Sequence, residues 1–179
     1  MNNNAMQALT FWKTITMDHS GLLEQFIAVL EDNQVQYCVI GGQGVNAYVD
    51  PLVSLDLDLV IAAEQLDQVE ALLEEGGFQL KRVAHSLNLT LPGSSLHLQI
   101  QTDPRYATFP QRAISRQVLG LMLPVAAAPD ILRGKVWAFQ DPARRGSKRQ
   151  KDLANIARLL ERYPELRDEV PEDVLVRLV

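Results

Sequence analysis

The chain has 179 residues, 47% of them hydrophobic and 22% charged, a balance that excludes a disordered or fibrous protein. A formal net charge of −5 excludes a surface built to coat nucleic acid throughout, because neutralising phosphates takes an excess of Lys and Arg. The lone cysteine, Cys38, sits in the apolar run Tyr37-Cys38-Val39-Ile40 with no partner for a disulfide or a cysteine-based metal site. The sequence opens on Met1-Asn2-Asn3-Asn4-Ala5 rather than on a basic and then apolar leader, and no stretch reaches the ~18 apolar residues of a membrane span. A cytoplasmic protein with no membrane partner is expected.

In chain order, Ser20 is expected to cap a helix whose apolar positions Leu22, Leu23, Phe26, Ile27 and Leu30 repeat at helical spacing and end near Asn33. Tyr37 to Ile40 reads as a strand stopped by Gly41-Gly42, and Gly44 to Tyr48 as one or two helical turns before Asp50-Pro51. Leu55 to Ile61 alternates and then becomes wholly apolar, a strand entering the core with Asp56 and Asp58 on one face. Glu64 to Glu75 reads as an amphipathic helix stopped by Gly76-Gly77.

Strands at Leu87 to Leu91 and Leu96 to Gln101, joined by Pro92-Gly93-Ser94-Ser95, read as a hairpin, and Arg116 to Val125 as a further strand. Ala128-Pro129-Asp130 opens a helix carrying Ile131, Lys135, Val136 and Phe139. A basic loop, Arg144 to Arg149, leads into a last long helix through Leu153, Ile156, Leu159 and Leu160, broken at Pro164. The order predicts one α/β (α+β) domain over residues 1–179, a mixed sheet flanked by helices, with residues 129–179 as its helical C-terminal portion.

Two aspartates at i and i+2 on a strand hold their carboxylates on the same side, where like charges repel unless a cation shares them. Hard oxygen ligands in that arrangement suit Mg²⁺ or Mn²⁺; the plain alternative is the solvent face of an edge strand. The glycine turn upstream frees backbone N–H groups to approach phosphate oxygens, although two glycines also make ordinary turns. The basic residues Arg144, Arg145, Lys148, Arg149 and Lys151 suit phosphate or RNA backbone, or equally a solvated face on which Lys148 pairs with Asp152 at i,i+4. His19 and His85 show no ligand spacing, and Trp12 and Trp137 read as packing anchors.

Val39-Ile40-Gly41-Gly42, a spacer, and Asp56-Leu57-Asp58-Leu59, with Ser54 two residues before the first aspartate, resemble the signature of the polymerase-beta-like nucleotidyltransferases. Lys135 with Ala138, Arg144-Arg145 and Lys151-Asp152-Leu153-Ala154-Asn155 resemble the C-terminal motifs of small bacterial members related to AbiEii-type toxins. These matches cover residues 37–61 and 131–162. The resemblance implies a nucleotidyltransferase-type sheet and Mg²⁺ or Mn²⁺ on Asp56 and Asp58. It also implies NTP phosphates at Gly41 and Gly42, Ser54 as the small hydroxyl residue of the nucleotide-binding set, and Lys135 and Asp152 near the nucleotide.

The resemblance further implies transfer of an NMP from an NTP to a hydroxyl acceptor with release of pyrophosphate. The acceptor stays open between a protein side chain, an RNA end and a small molecule. A third carboxylate is expected on a later strand, where Leu96-His97-Leu98-Gln99-Ile100-Gln101 offers Gln99 or Gln101 instead. Asp103, past the strand end, is the surrogate acid, with His97 as another proton acceptor; a plain Asp-Pro turn is the alternative. The rival reading is a catalytically weakened nucleotide-binding regulator, or a partner of a cognate antitoxin, that keeps the fold.

Overall fold

The computed structural model describes residues 7, 10, 11, 13, 14, 21–92, 94 and 96–178. The cap expected at Ser20, and Gly93 and Ser95 of the hairpin loop, lie outside the described residues. Seven strands form one mixed sheet in the order β3-β4-β5-β2-β1-β7-β6. They are β1 (Tyr37–Ile40), β2 (Asp56–Ile61), β3 (Gln79–Val83), β4 (Ser86–Thr90), β5 (His97–Gln101), β6 (Ile114–Val118) and β7 (Leu121–Val125).

From residue 21 onward the α-helices among the described residues are α1 (Leu22–Asp32), α2 (Gly41–Asn46), α3 (Leu66–Glu75), α4 (Ala128–Gln140), α5 (Gly146–Arg162) and a closing turn, α6 (Glu172–Leu175). Among the described residues no helix is long and apolar enough to cross a membrane. The mixed sheet with flanking helices and a helical C-terminal portion is the architecture expected from the chain order.

Strand β1 lies inside the sheet, antiparallel to β2 and parallel to β7, and all four of its residues are buried, as its unbroken apolar sequence requires. In β2 and β5 the residues Leu57, Leu59, Leu98 and Ile100 alternate with polar ones and enter the core that also takes Leu22, Phe26 and Leu30 of α1 and Val69 and Leu73 of α3. Phe26 meets Phe78 edge-on with ring centroids 6.4 Å apart, tying α1 to the chain beyond α3. Helices α4 and α5 pack on each other and on α2, over the end of the sheet where the aspartates lie.

Four elements differ from expectation. α2 begins at Gly41 itself, so the glycines form its first turn instead of preceding it. β3 lies where no strand is expected: its residues are mostly exposed at a sheet edge, so no buried alternation marks it. The single strand expected over Arg116 to Val125 is the hairpin β6–β7, folded at Leu119 (φ 52°) and Gly120 (φ 86°), the two positive angles of a tight hairpin turn. Finally, α5 begins at Gly146, so Lys148 and Arg149 are helical and not part of a basic loop.

Candidate active site

Strand β2 carries both aspartates. Its alternation sends Leu57 and Leu59 into the core at 0% exposure and leaves Asp56 and Asp58 half-buried on the other face. The parallel pairing with β5 sets His97 opposite Asp56 and Gln99 opposite Asp58, so these residues share one face. Gln99 Nε2 donates to Ser86 Oγ of β4 at 2.6 Å, and Gln101 Oε1 accepts from the amides of Thr102 and Asp103, both at 3.0 Å.

Gly41 faces Asp58. Its φ of +66° favours glycine, and a Cβ built there would stand 2.0 Å from Asp58 Oδ2 and 2.9 Å from Asp58 Cβ. The carboxylate takes the space a side chain would need. Gly42 stands in the same relation to buried Ser54, whose Oγ would lie 2.5 Å from a Cβ, and Ser54 O accepts from Gln43 Nε2 at 2.7 Å. Sequence reasoning assigns the glycines a role in phosphate approach; the structure adds the room they leave for Asp58 and Ser54.

Gly41→Ala is therefore expected to cost about 1–3 kcal/mol of stability through its left-handed backbone and to push the Asp58 carboxylate out of place. Urea unfolding and Mn²⁺ titration check the two effects, and a variant matching wild type in both contradicts this geometry.

A cavity of about 100 Å³ lies beside the Asp58 carboxylate, lined by Gly41, Asp58, Gln99, Gln101, Lys135 and Arg144 and also by Tyr106, Phe109, Asp130, Ile131 and Gly134. Burial pushes the Asp58 carboxyl above the ordinary carboxylate range; Lys135 counters this, Asp56 adds to it, and Lys148 and Arg144 oppose it.

The cations are supplied by the two C-terminal helices and the loop between them. Asp152, 1% exposed on α5, accepts from Lys135 Nζ at 3.0 Å and from Arg144 Nε at 2.8 Å, fastening α4 to the loop that precedes α5. Lys135 and Arg144 thus enter the cavity wall, whereas Asp152 faces the cations from behind. Lys148 does not pair with Asp152 at i,i+4: its Nζ lies 3.6 Å from Asp56 Oδ2. Long-range partners carry more charge to Asp152 than its helical neighbour does, which spacing along the chain cannot reveal.

Asp103 stands apart from this arrangement. Its carboxylate caps a short 3₁₀ turn at Pro104–Tyr106, accepting from Arg105 N at 2.9 Å, and both oxygens are gripped by the Arg105 guanidinium at 2.7–3.1 Å. That guanidinium holds the Asp103 carboxyl below its usual range, which makes it a weak proton acceptor, and it is absent from the cavity wall. His97 is exposed on the face of Asp56. Among the described residues no third Asp, Glu, His or Cys joins Asp56 and Asp58 in a group able to hold a metal ion.

No protein-family model matches this chain, and no curated protein matches it in sequence. Solved structures do. The chain is similar to ANT(2'')-Ia in complex with adenylyl-2''-tobramycin, with a TM-score of 0.61 and 16% identity over 88% of this chain and 97% of that one. It is similar to the lincosamide antibiotic adenylyltransferase LnuA with lincomycin bound, at a TM-score of 0.54 and 15% identity over 80% of this chain and 99% of that one. A nucleotidyltransferase-like protein from Paracoccidioides brasiliensis matches at a TM-score of 0.51 and 21% identity over 82% of this chain and 77% of that one. The chain has the fold of the nucleotidyltransferases.

Proposed function

We propose that the protein transfers an NMP from an NTP to a hydroxyl acceptor and releases pyrophosphate. The observation that carries this reading is the meeting of Asp58 with Gly41, Lys135 and Arg144 around one cavity, with Asp56 beside it on the same face of β2.

The residues present fit Mg²⁺ or Mn²⁺: two same-face carboxylates, too close to share that face at no cost, make a hard-oxygen donor set that water and phosphate oxygens complete. When bound, such an ion supplies charge neutralisation at the phosphoryl oxygens. Around it, the backbone amides of Gly41 and Gly42 donate to phosphate, with Ser54 supporting Gly42 from beneath. Lys135 and Arg144, oriented by Asp152, meet the negative charge that builds on the departing pyrophosphate.

The cavity is far below the roughly 300 Å³ at which ligand pockets begin. It takes a phosphate group while the nucleoside lies outside. Because the similar structures of ANT(2'')-Ia and LnuA hold adenylyl-2''-tobramycin and lincomycin, we favour a small hydroxyl-bearing acceptor over a protein side chain or an RNA end.

Gln99 in register with Asp58 favours a second reading: a protein of AbiEii-type kinship that binds NTP as a regulator or as the partner of an antitoxin, without turnover. One experiment separates the two. Each α-labelled NTP is incubated with the protein, Mg²⁺ or Mn²⁺ and a cell extract, and the labelled product is sought. Label in an acceptor supports transfer, nucleotide retention without transfer supports the regulator, and neither sinks both.

A further inference from the structure

The cations around the aspartates are not equivalent. Lys135 and Arg144 are each fastened to one oxygen of Asp152, and moving either would leave that oxygen of a carboxylate 1% exposed without its partner. Lys148 has no such anchor. Its Nζ pairs with Asp56 Oδ2 at 3.6 Å with the two side chains 41% and 40% exposed, and among the described residues it makes no second ion pair. It also occupies the first turn of α5, which contains no acidic residue, so its charge stands against the positive end of that helix. Asp56 compensates for that placement.

We propose that Lys148 is a resident counter-ion of Asp56, displaced when a divalent cation arrives, and that it then turns to the phosphates of the nucleotide. The inference rests on the metal-site reading of Asp56 and Asp58 and adds a coupling to it. A dication on Asp56 repels the ammonium and leaves it beside a helix start with no anion. A triphosphate supplies that anion. The ion alone must separate an existing pair, and the nucleotide alone meets two carboxylates, so each ligand removes the obstacle to the other and the two bind cooperatively.

Free Mn²⁺ followed by electron paramagnetic resonance tests this, with and without a non-hydrolysable NTP, in wild type, Lys148→Met and Lys151→Met. Lys151 is an exposed lysine on the same helix, so its removal changes the net charge equally without touching Asp56. Without nucleotide, Lys148→Met is expected to bind Mn²⁺ about two- to five-fold more tightly, the scale of an exposed ion pair, while Lys151→Met stays at the wild-type value. The factor by which nucleotide tightens Mn²⁺ binding should fall in Lys148→Met alone.

Equal Mn²⁺ affinity in wild type and Lys148→Met overturns the counter-ion role and leaves the metal site standing. The same tightening in Lys151→Met also overturns it, by reducing the effect to net charge. Mn²⁺ binding in none of the proteins, with or without nucleotide, overturns the metal-site reading and the inference with it.

Discussion

Asp58→Asn is expected to abolish Mn²⁺-dependent NTP binding and to lower NMP transfer by about 10²–10³-fold, the scale on which one preorganised electrostatic contact to a transition state is lost. Asn has the shape of Asp, so the contact with Gly41 survives and only the charge goes. Stability should not fall with it, because the Asp58 carboxyl is pushed up by burial. A carboxyl with a raised folded-state pKa stabilises the fold below the unfolded-state value and loses that contribution as pH rises through the folded one. At neutral pH without metal, wild type therefore carries the cost of a buried charge that the amide variant lacks. Thermal unfolding in a chelator at pH 4 and pH 7 should show the variant gaining on wild type at the higher pH. An inactive variant that is also unfolded, or a folded one that still binds Mn²⁺ and NTP as wild type does, would refute this account of the site.

The opposite change tests the missing acid. Gln99 lies opposite Asp58 in the β2–β5 register and shares its face, so Gln99→Asp sets a third carboxylate beside the pair. If transfer is limited by removal of the acceptor proton, the variant should gain about 10²-fold or more in rate, the usual range for a positioned general base. In chelator it should be less stable than wild type, because a third like charge joins two others and the hydrogen bond to Ser86 is lost. Asp103→Asn serves as the contrast. With both oxygens held by Arg105, Asp103 is expected to contribute nothing to transfer. A loss on Asp103→Asn with no gain on Gln99→Asp, measured with the same labelled NTP, would restore Asp103 as the proton acceptor.

What the sequence made legible was periodicity. Asp56-Leu57-Asp58-Leu59 could be placed with its carboxylates on one face because a strand repeats every two residues, and α1 because Leu23, Phe26, Ile27 and Leu30 repeat at helical spacing. Strand β3 was hidden because Gln79, Lys81, Arg82 and Val83 are exposed at the sheet edge and keep no buried alternation. The turn between β6 and β7 was hidden because Leu119, a residue that rarely takes positive φ, supplies one of its two positive angles. Charge pairing was the least legible. Asp152 had a plausible helical partner in Lys148, yet burial gives it Lys135, 17 residues away, and leaves Lys148 for Asp56.

The pairing of β1 with β7 joins Val39 to Val125, whereas β3, β4 and β5 close as consecutive antiparallel neighbours. Loop closure makes nearby pairs form sooner than distant ones, so the β3–β4–β5 meander should organise first and the β1–β7 junction last. On the ribosome the two aspartates emerge well before Lys135, Arg144 and Asp152 exist to balance them. The growing chain thus passes through an interval as an acidic half-site without its cations, unable to grip a nucleotide until α5 has been made. Pulsed hydrogen exchange during refolding should find the amides of Leu87 and Ile100 protected before those of Val39 and Ala126, and the reverse order would place the folding nucleus at the β1–β7 junction.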